Sequence, residues 1–181
     1  YENGEKKYYD LNTYSYKKIP GSDAFIILDS YRQNSPVIKN SECSVHDIGE
    51  GVLCLEFQSK SNAIGEGIGR ATAEAIELAE NENWTGIVIG NNAKQFSVGA
   101  NLMNIGMYAM QKQFDPLEKM VDDFQRVNMR MRTSKIPLVT AAQGYVFGGG
   151  CEIAMHCDAG VFAAETYIGL VEVGVGLLPG G

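Results

Sequence analysis

Glu152 and Glu172 are the residues of this chain best suited to moving protons. Glu152 stands in Cys151-Glu152-Ile153-Ala154-Met155 and Glu172 in Leu170-Val171-Glu172-Val173-Gly174, each among apolar neighbours. A carboxylate in such surroundings costs free energy unless it is paired, and two of them can divide the work of general acid and general base. The same pattern also suits partly exposed or ion-paired glutamates, so the carboxylates alone do not define a site.

Gly148, Gly149 and Gly150 run directly into the segment that holds Glu152. Glycine is about 0.5–1 kcal/mol worse than alanine inside a regular element, so three in a row need a reason beyond propensity. Residues 96–102, Phe-Ser-Val-Gly-Ala-Asn-Leu, follow the same plan of apolar strand, glycine turn and helix. A helix N-terminus presents unpaired N–H groups and partial positive charge. Two such ends facing one another offer two donors to a single oxygen, which is an oxyanion hole. Ala100 and Gly149 are the donor positions, small enough to let a reacting carbonyl approach. Glycine-rich turns of this kind are also common without any chemistry. The combination of two loops with two carboxylates is what points to catalysis.

The elements that must position these groups alternate between strand and helix. Residues 45–57 read as two short strands around the turn Gly49-Glu50-Gly51. Residues 68–81 carry Ala71, Ala75, Ile76, Leu78 and Ala79, a helix with one apolar side. Gly86 to Gly90 form a short buried strand. Leu117, Met120, Val121, Phe124, Val127 and Met131 mark an amphipathic helix over 117–131, which ends ahead of Pro137. Strands are expected at 138–144 and 159–164, with the triplet and its helix between them. Alternation of this kind predicts an α/β fold with crossovers. Residues 1–43, rich in Tyr, Lys, Ser and Asn, read as a linker or arm, with one short strand at 24–31.

Composition narrows the function. The chain has 181 residues, 45% hydrophobic and 20% charged, with a net charge of −7. That balance argues against general nucleic-acid binding, which relies on Lys and Arg. No run approaches the ~18–20 apolar residues of a membrane span, and the N-terminal stretch lacks the apolar core of a signal peptide, so a cytoplasmic protein is expected. Cys43, Cys54, Cys151 and Cys157 show no C-x-x-C pair. His156 and Cys157 are neighbours that a helix would point to different faces, so they read as core rather than metal ligands. Gly65-Glu66-Gly67-Ile68-Gly69-Arg70 opens a helix after a strand, as a dinucleotide fingerprint does, but its spacing is not G-x-G-x-x-G. No acid follows the next strand to take a ribose hydroxyl.

Four segments in order resemble the signatures of the crotonase superfamily: Ser59 to Ile64, then 95–102 (QFSVGANL), 144–158 (GYVFGGGCEIAMHCD) and 167–181 (YIGLVEVGVGLLPGG). The resemblance covers about residues 44–181. It implies a crotonase (ClpP-like) spiral of strand–strand–helix units in a domain spanning 44–181, preceded by the arm. It implies enoyl-CoA hydratase activity, with the N–H groups of Ala100 and Gly149 on the thioester oxygen, and Glu152 and Glu172 flanking the water that is added. Lys60, Asn62, Ala63 and Ile64 would lie along the coenzyme A chain, Lys60 near a phosphate, with Gly99 and Gly148 shaping the hole and Gly180 near the water. No cofactor is implied in this module. The arm resembles the connector in fused proteins where a 3-hydroxyacyl-CoA dehydrogenase comes first, and NAD would serve only that domain. Asn101 departs from the commoner Gly-Ala-Asp. The family's module continues past Pro179-Gly180-Gly181 through helices that finish the coenzyme pocket and build trimers, so this chain is expected to lack them, to self-associate and to hydrate poorly by itself. Crotonase isomerases commonly manage with one glutamate, so two favour a hydratase over an isomerase. A non-catalytic acyl-CoA-binding or oligomerisation piece would have no use for either.

Overall fold

A computed structural model describes residues 6–181; the first five positions of the expected arm lie outside the described residues. In chain order the strands and helices are β1 (Lys7–Asp10), β2 (Ser15–Lys18), α1 (Leu28–Tyr31), β3 (Ile38–Lys39), β4 (Cys43–Asp47), β5 (Val52–Phe57), α2 (Glu66–Asn81) and β6 (Gly86–Gly90). They continue with α3 (Leu102–Met110), α4 (Phe114–Arg132), β7 (Leu138–Ala142), β8 (Tyr145–Phe147), α5 (Gly149–His156), β9 (Ala159–Phe162) and β10 (Tyr167–Gly169).

The main sheet runs β3-β4-β5-β6-β7-β9. β3, β4 and β5 pair antiparallel, and β5, β6, β7 and β9 pair parallel. The parallel half requires crossovers, which α2, the α3–α4 pair and α5 supply. Leu53, Leu55 and Phe57 of β5 and Cys43 and Val45 of β4 share one face, packed against Ile68, Ala71, Ala75, Ile76 and Ala79 of α2. The alanines of α2 let the helix lie close to the sheet, and each large side chain buried there contributes about 1.5–3 kcal/mol. α4 is joined to α2 by Arg130, whose two Nη atoms donate to the Glu80 carboxylate at 3.0 and 2.6 Å.

On the opposite face of the sheet, β4 and β5 carry Ser44, His46 and Glu56, and the arm reaches this part of it. Glu56 is fully buried there. It accepts from Arg32 Nη2 at 2.5 Å and from Gln58 Nε2 at 2.7 Å, and it faces His46 Nε2 at 3.2 Å. Arg32 directly follows α1, so the arm is tied to the sheet by a charge pair as well as by β3. The strand expected at 24–31 does not form: the stretch is a short turn, Ser22–Ala24, followed by α1. Phe25 and Ile26 are exposed and only Leu28 is buried, so the apolar run has no sheet edge to join. Further back, β1 and β2 form a separate hairpin.

A second, smaller sheet carries the site. β8 leaves the main sheet and pairs in parallel with β10, from Tyr145↔Tyr167 to Phe147↔Gly169. On its other side Ser97 bridges to Val146, and beyond that Ala100 bridges to Ile64. No helix among the described residues is long and apolar enough to cross a membrane.

Candidate active site

The four segments singled out in the sequence lie side by side in this second layer. Ile64 N–H donates to Gly99 O at 2.8 Å, and Asn101 N–H donates to Ile64 O at 3.1 Å. Ser97 N–H donates to Tyr145 O at 3.0 Å, and Phe147 N–H returns to Ser97 O at 3.1 Å. Gly148 N–H then reaches Gly169 O at 3.0 Å. Residues 60–64, 97–101, 145–148 and 167–169 are thus held in that order by backbone hydrogen bonds.

The two expected donors meet. Because Ile64 bonds to Gly99 and Asn101, the N–H of Ala100 between them points away from Ile64. Gly149 begins α5, where the first N–H groups have no partner inside the helix. Neither N–H donates to a protein acceptor among the described residues. A Cβ placed on Gly149 would lie 3.6 Å from Ala100 N, and one on Gly99 would lie 3.3 Å from Gly149 N.

Each glycine of the triplet meets a different neighbour. Gly148 has φ +51°, a left-handed conformation, and a Cβ there would lie 2.8 Å from Glu172 Oε1. A Cβ on Gly149 would press on Ile64 and Phe124, both at 3.3 Å. One on Gly150 would stand 2.7 Å from Ser97 Cβ. Ser97 is fully buried; its hydroxyl donates to Asn62 O at 2.7 Å and accepts from Gly99 N–H at 3.0 Å, fixing the first loop. The sequence reading expects a reacting carbonyl close to this backbone; in the structure Glu172, Ile64, Phe124 and Ser97 also lie close to it.

Glu152 is buried on α5 and its Oε1 accepts from Gly181 N–H at 2.7 Å. Glu172 opens a short turn, Glu172–Val175, and its Oε2 is buried without a hydrogen-bond partner. Neither carboxylate has an ion pair among the described residues. Their combined charge is felt by Cys151, whose thiol is pushed up by burial and then by Glu152 and Glu172.

Other expected residues take supporting positions. Asn62 is buried and its Nδ2 donates to Gln95 O at 3.0 Å, so its side chain shapes the loop around Lys60–Asn62. Ala63 leads into Ile64, while Lys60 is exposed at the mouth of that loop. Asn101 caps α3, its Oδ1 accepting from Met103 N–H at 3.2 Å. Gly180 presents its carbonyl to Gln125 Nε2 at 2.7 Å, and it is the next glycine, Gly181, that donates to Glu152. Phe124 and Asn128 carry no signature in the sequence that marks them for the site, whereas Gly181 closes the fourth segment. The two α4 residues fall on the same helical face as Val121, which is the available signal.

Two alternative sites fare differently. The glycine-rich start of α2 is filled by the chain itself: Glu42 Oε2 accepts from Ile68 N–H at 3.0 Å, and a Cβ on Gly65 or Gly67 would strike the Glu42 carboxylate. That helix end already holds an anion, so its glycines have a structural reason and no room for a pyrophosphate. A cavity of about 560 Å³ opens beside the arm, lined by Arg32, Lys39, His46, Gln58 and Asn92 among others. Asn62 lines it, but neither N–H donor and neither glutamate of the pair does.

The architecture is that of an α/β spiral in which two glycine turns bring two backbone N–H groups together, with the Glu172 carboxylate beside Gly148. The sequence profile of the enoyl-CoA hydratase/isomerase family matches residues 47–181, and the chain belongs to that family. It is 40% identical over 181 residues to a probable 3-hydroxyacyl-CoA dehydrogenase of Bacillus subtilis, covering 99% of this chain and 23% of that protein. It is 27% identical over 154 residues to a fatty acid oxidation complex subunit alpha of Psychrobacter sp., covering 80% of this chain and 20% of that one. The chain thus spans about a quarter or less of the length of these relatives. The crystal structure of an enoyl-CoA hydratase from Polaromonas sp. shares its crotonase fold with a TM-score of 0.72 at 24% identity, over 76% of this chain and 54% of that one.

Proposed function

We propose that this chain is the hydratase module of a fatty-acid oxidation protein, adding water across the double bond of a 2-enoyl-CoA. The observation that carries the reading is the pairing of the Ala100 and Gly149 N–H groups beside the Glu172 carboxylate. The thioester oxygen accepts from both N–H groups, which stabilise the negative charge it gains when water attacks C3. One glutamate takes a proton from that water as the C3–O bond forms, and the other delivers a proton to C2, so the elements of water are added and nothing is oxidised. Among the described residues neither Glu152 nor Glu172 is engaged by a cation. Residues 60–64 run along the first loop, which suits them to the pantetheine arm, with Lys60 reaching a phosphate.

The relatives' lengths suit a larger protein; in this reading, on the family resemblance alone, a 3-hydroxyacyl-CoA dehydrogenase that uses NAD precedes the module and complete modules assemble as trimers. The deciding experiment supplies 2-butenoyl-CoA to the complete protein and follows loss of the conjugated thioester absorbance, with a 3-enoyl-CoA as the isomerase control. Glu152→Gln and Glu172→Gln are each expected to lower turnover at least ~10²-fold while binding is largely kept. Near-normal hydration by either variant removes that residue from the mechanism, and turnover of the 3-enoyl thioester alone replaces the hydratase reading with an isomerase.

A further inference from the structure

Ser61 and Asn62 stand in succession in the left-handed region, with φ of +56° and +53°. Neither is glycine, and a side chain in that conformation is strained, serine more than asparagine. Two such residues side by side persist only where their surroundings hold them. They make the turn of the Lys60–Asn62 segment, which leads through Ala63 into Ile64. Ile64 in turn bonds to Gly99 and Asn101, on either side of Ala100.

The hold on this turn comes from Ser97. Its side chain is fully buried, and its hydroxyl donates to Asn62 O at 2.7 Å while accepting from Gly99 N–H at 3.0 Å. One oxygen thus joins the carbonyl of the strained turn to the glycine immediately before the Ala100 donor. The backbone of the same residue is fastened to β8: its N–H donates to Tyr145 O and its carbonyl accepts from Phe147 N–H. A Cβ on Gly150 would stand 2.7 Å from Ser97 Cβ, so the start of α5, where the Gly149 donor lies, packs against it as well. Asn62 Nδ2 adds a second tie, to Gln95 O at 3.0 Å, at the entrance of the same loop.

We propose that Ser97 is a positioning residue: its hydroxyl clasps the strained Ser61-Asn62 turn to the first glycine loop and so sets where the Ala100 N–H stands relative to that of Gly149. Removing the hydroxyl leaves a buried carbonyl and a buried N–H without partners, and the turn relaxes by swinging Asn62 away from Gly99. An oxyanion hole is sensitive to such a change, because its donors act on an oxygen at a fixed place. The catalytic consequence rests on the hydratase reading above; the clasp itself does not.

The test uses the complete protein with Ser97→Ala and Ser97→Cys, the second of which fills the same space with a weak donor and a weak acceptor. Both are expected to lower kcat on 2-butenoyl-CoA about tenfold, the scale of a misplaced reacting group. Both should also diminish the red shift that the absorbance of 2,4-hexadienoyl-CoA undergoes when bound donors polarise its carbonyl. Amide exchange followed by mass spectrometry should quicken in residues 59–64 and 97–101 while β5 keeps its wild-type rate. A residue that serves stability alone would quicken exchange in β5 equally and, below the melting temperature, leave kcat and the red shift unchanged. Wild-type kcat in Ser97→Ala, or exchange that is not selective, overturns the proposal; should that variant not fold, Ser97→Cys decides by the same readings. Should the wild-type protein not hydrate the thioester, the hydratase reading fails by itself. The exchange pattern then decides Ser97: selective quickening supports the clasp, and an even or unchanged pattern overturns it.

Discussion

Glu172 Oε1 occupies the space where a side chain on Gly148 would be, 2.8 Å from the position of its Cβ. The carboxylate and the first glycine of the triplet therefore define one another. The left-handed backbone at Gly148 turns the chain into α5, and the bare α-carbon leaves the acid its place next to the Gly149 N–H. The reason for glycine here is the approach of an acid as well as the approach of a substrate.

Gly148→Ala is expected to cost about 1–2 kcal/mol in folding stability from its positive φ and to push Glu172 aside. Turnover of 2-butenoyl-CoA should fall roughly 10–100-fold, a consequence of misplacing a reacting group. Parallel measurement of the denaturant midpoint and of kcat checks this. A stable variant with wild-type turnover would show that Glu172 works from another position.

Lys60 is exposed at the mouth of the loop, so its contribution to ligand binding should be that of a screened surface charge. Lys60→Ala is expected to weaken acyl-CoA binding roughly 2–5-fold at low ionic strength and to have no effect at high salt. Titration calorimetry at two salt concentrations separates the cases, and equal losses at both would remove the phosphate assignment.

Acid should loosen the join between α2 and α4. The Arg130 guanidinium, followed by the Lys135 N–H, lowers the Glu80 carboxyl from 4.5 to about 2. A carboxylate whose folded-state value is depressed adds stability above its unfolded value and loses that stability as pH falls through 4.5 toward 2. Glu80→Gln should therefore be less stable than wild type at pH 7, and the difference should close between pH 4.5 and 2. Denaturant melts across that range provide the measurement; a difference that does not change with pH would contradict the ion-pair account.

The cysteines are expected to be poor nucleophiles while the chain is folded. Burial pushes Cys43 and Cys157 up to about 11 and Cys54 up to about 12, and the thiolate is the reactive form. Iodoacetamide at pH 8 should label them slowly in the native protein and rapidly in denaturant. Fast native labelling of Cys54, mapped by mass spectrometry, would be the contrary result.

The site is legible in the sequence to the extent that it is made of backbone. Ala100, Gly148 and Gly149 are recognisable because a strand-to-helix turn built of small residues leaves its N–H groups open to a ligand, and the family resemblance assigns them as donors. Glu152 and Glu172 stand out against apolar neighbours. Asn128 does not, because a single asparagine on an amphipathic helix carries no pattern. The choice between Gly180 and Gly181 is similarly out of reach, since it depends on which N–H faces α5. Residues 24–31 mislead in the ordinary way: an apolar run gives no register, and β3, from a more polar stretch, takes the sheet edge instead.

The ion pair between Arg32 and Glu56 makes the arm something other than a tether. Glu56 is fully buried near the end of β5, and a buried charge that loses its partner is strongly destabilising. Cutting the polypeptide at residue 44, where the family resemblance begins, would withdraw the guanidinium and leave the carboxylate facing His46 and Gln58 alone. The sheet below the candidate site has in effect borrowed its counterion from the arm. A piece that begins after Arg32 is therefore expected to be less stable than one that begins ahead of it.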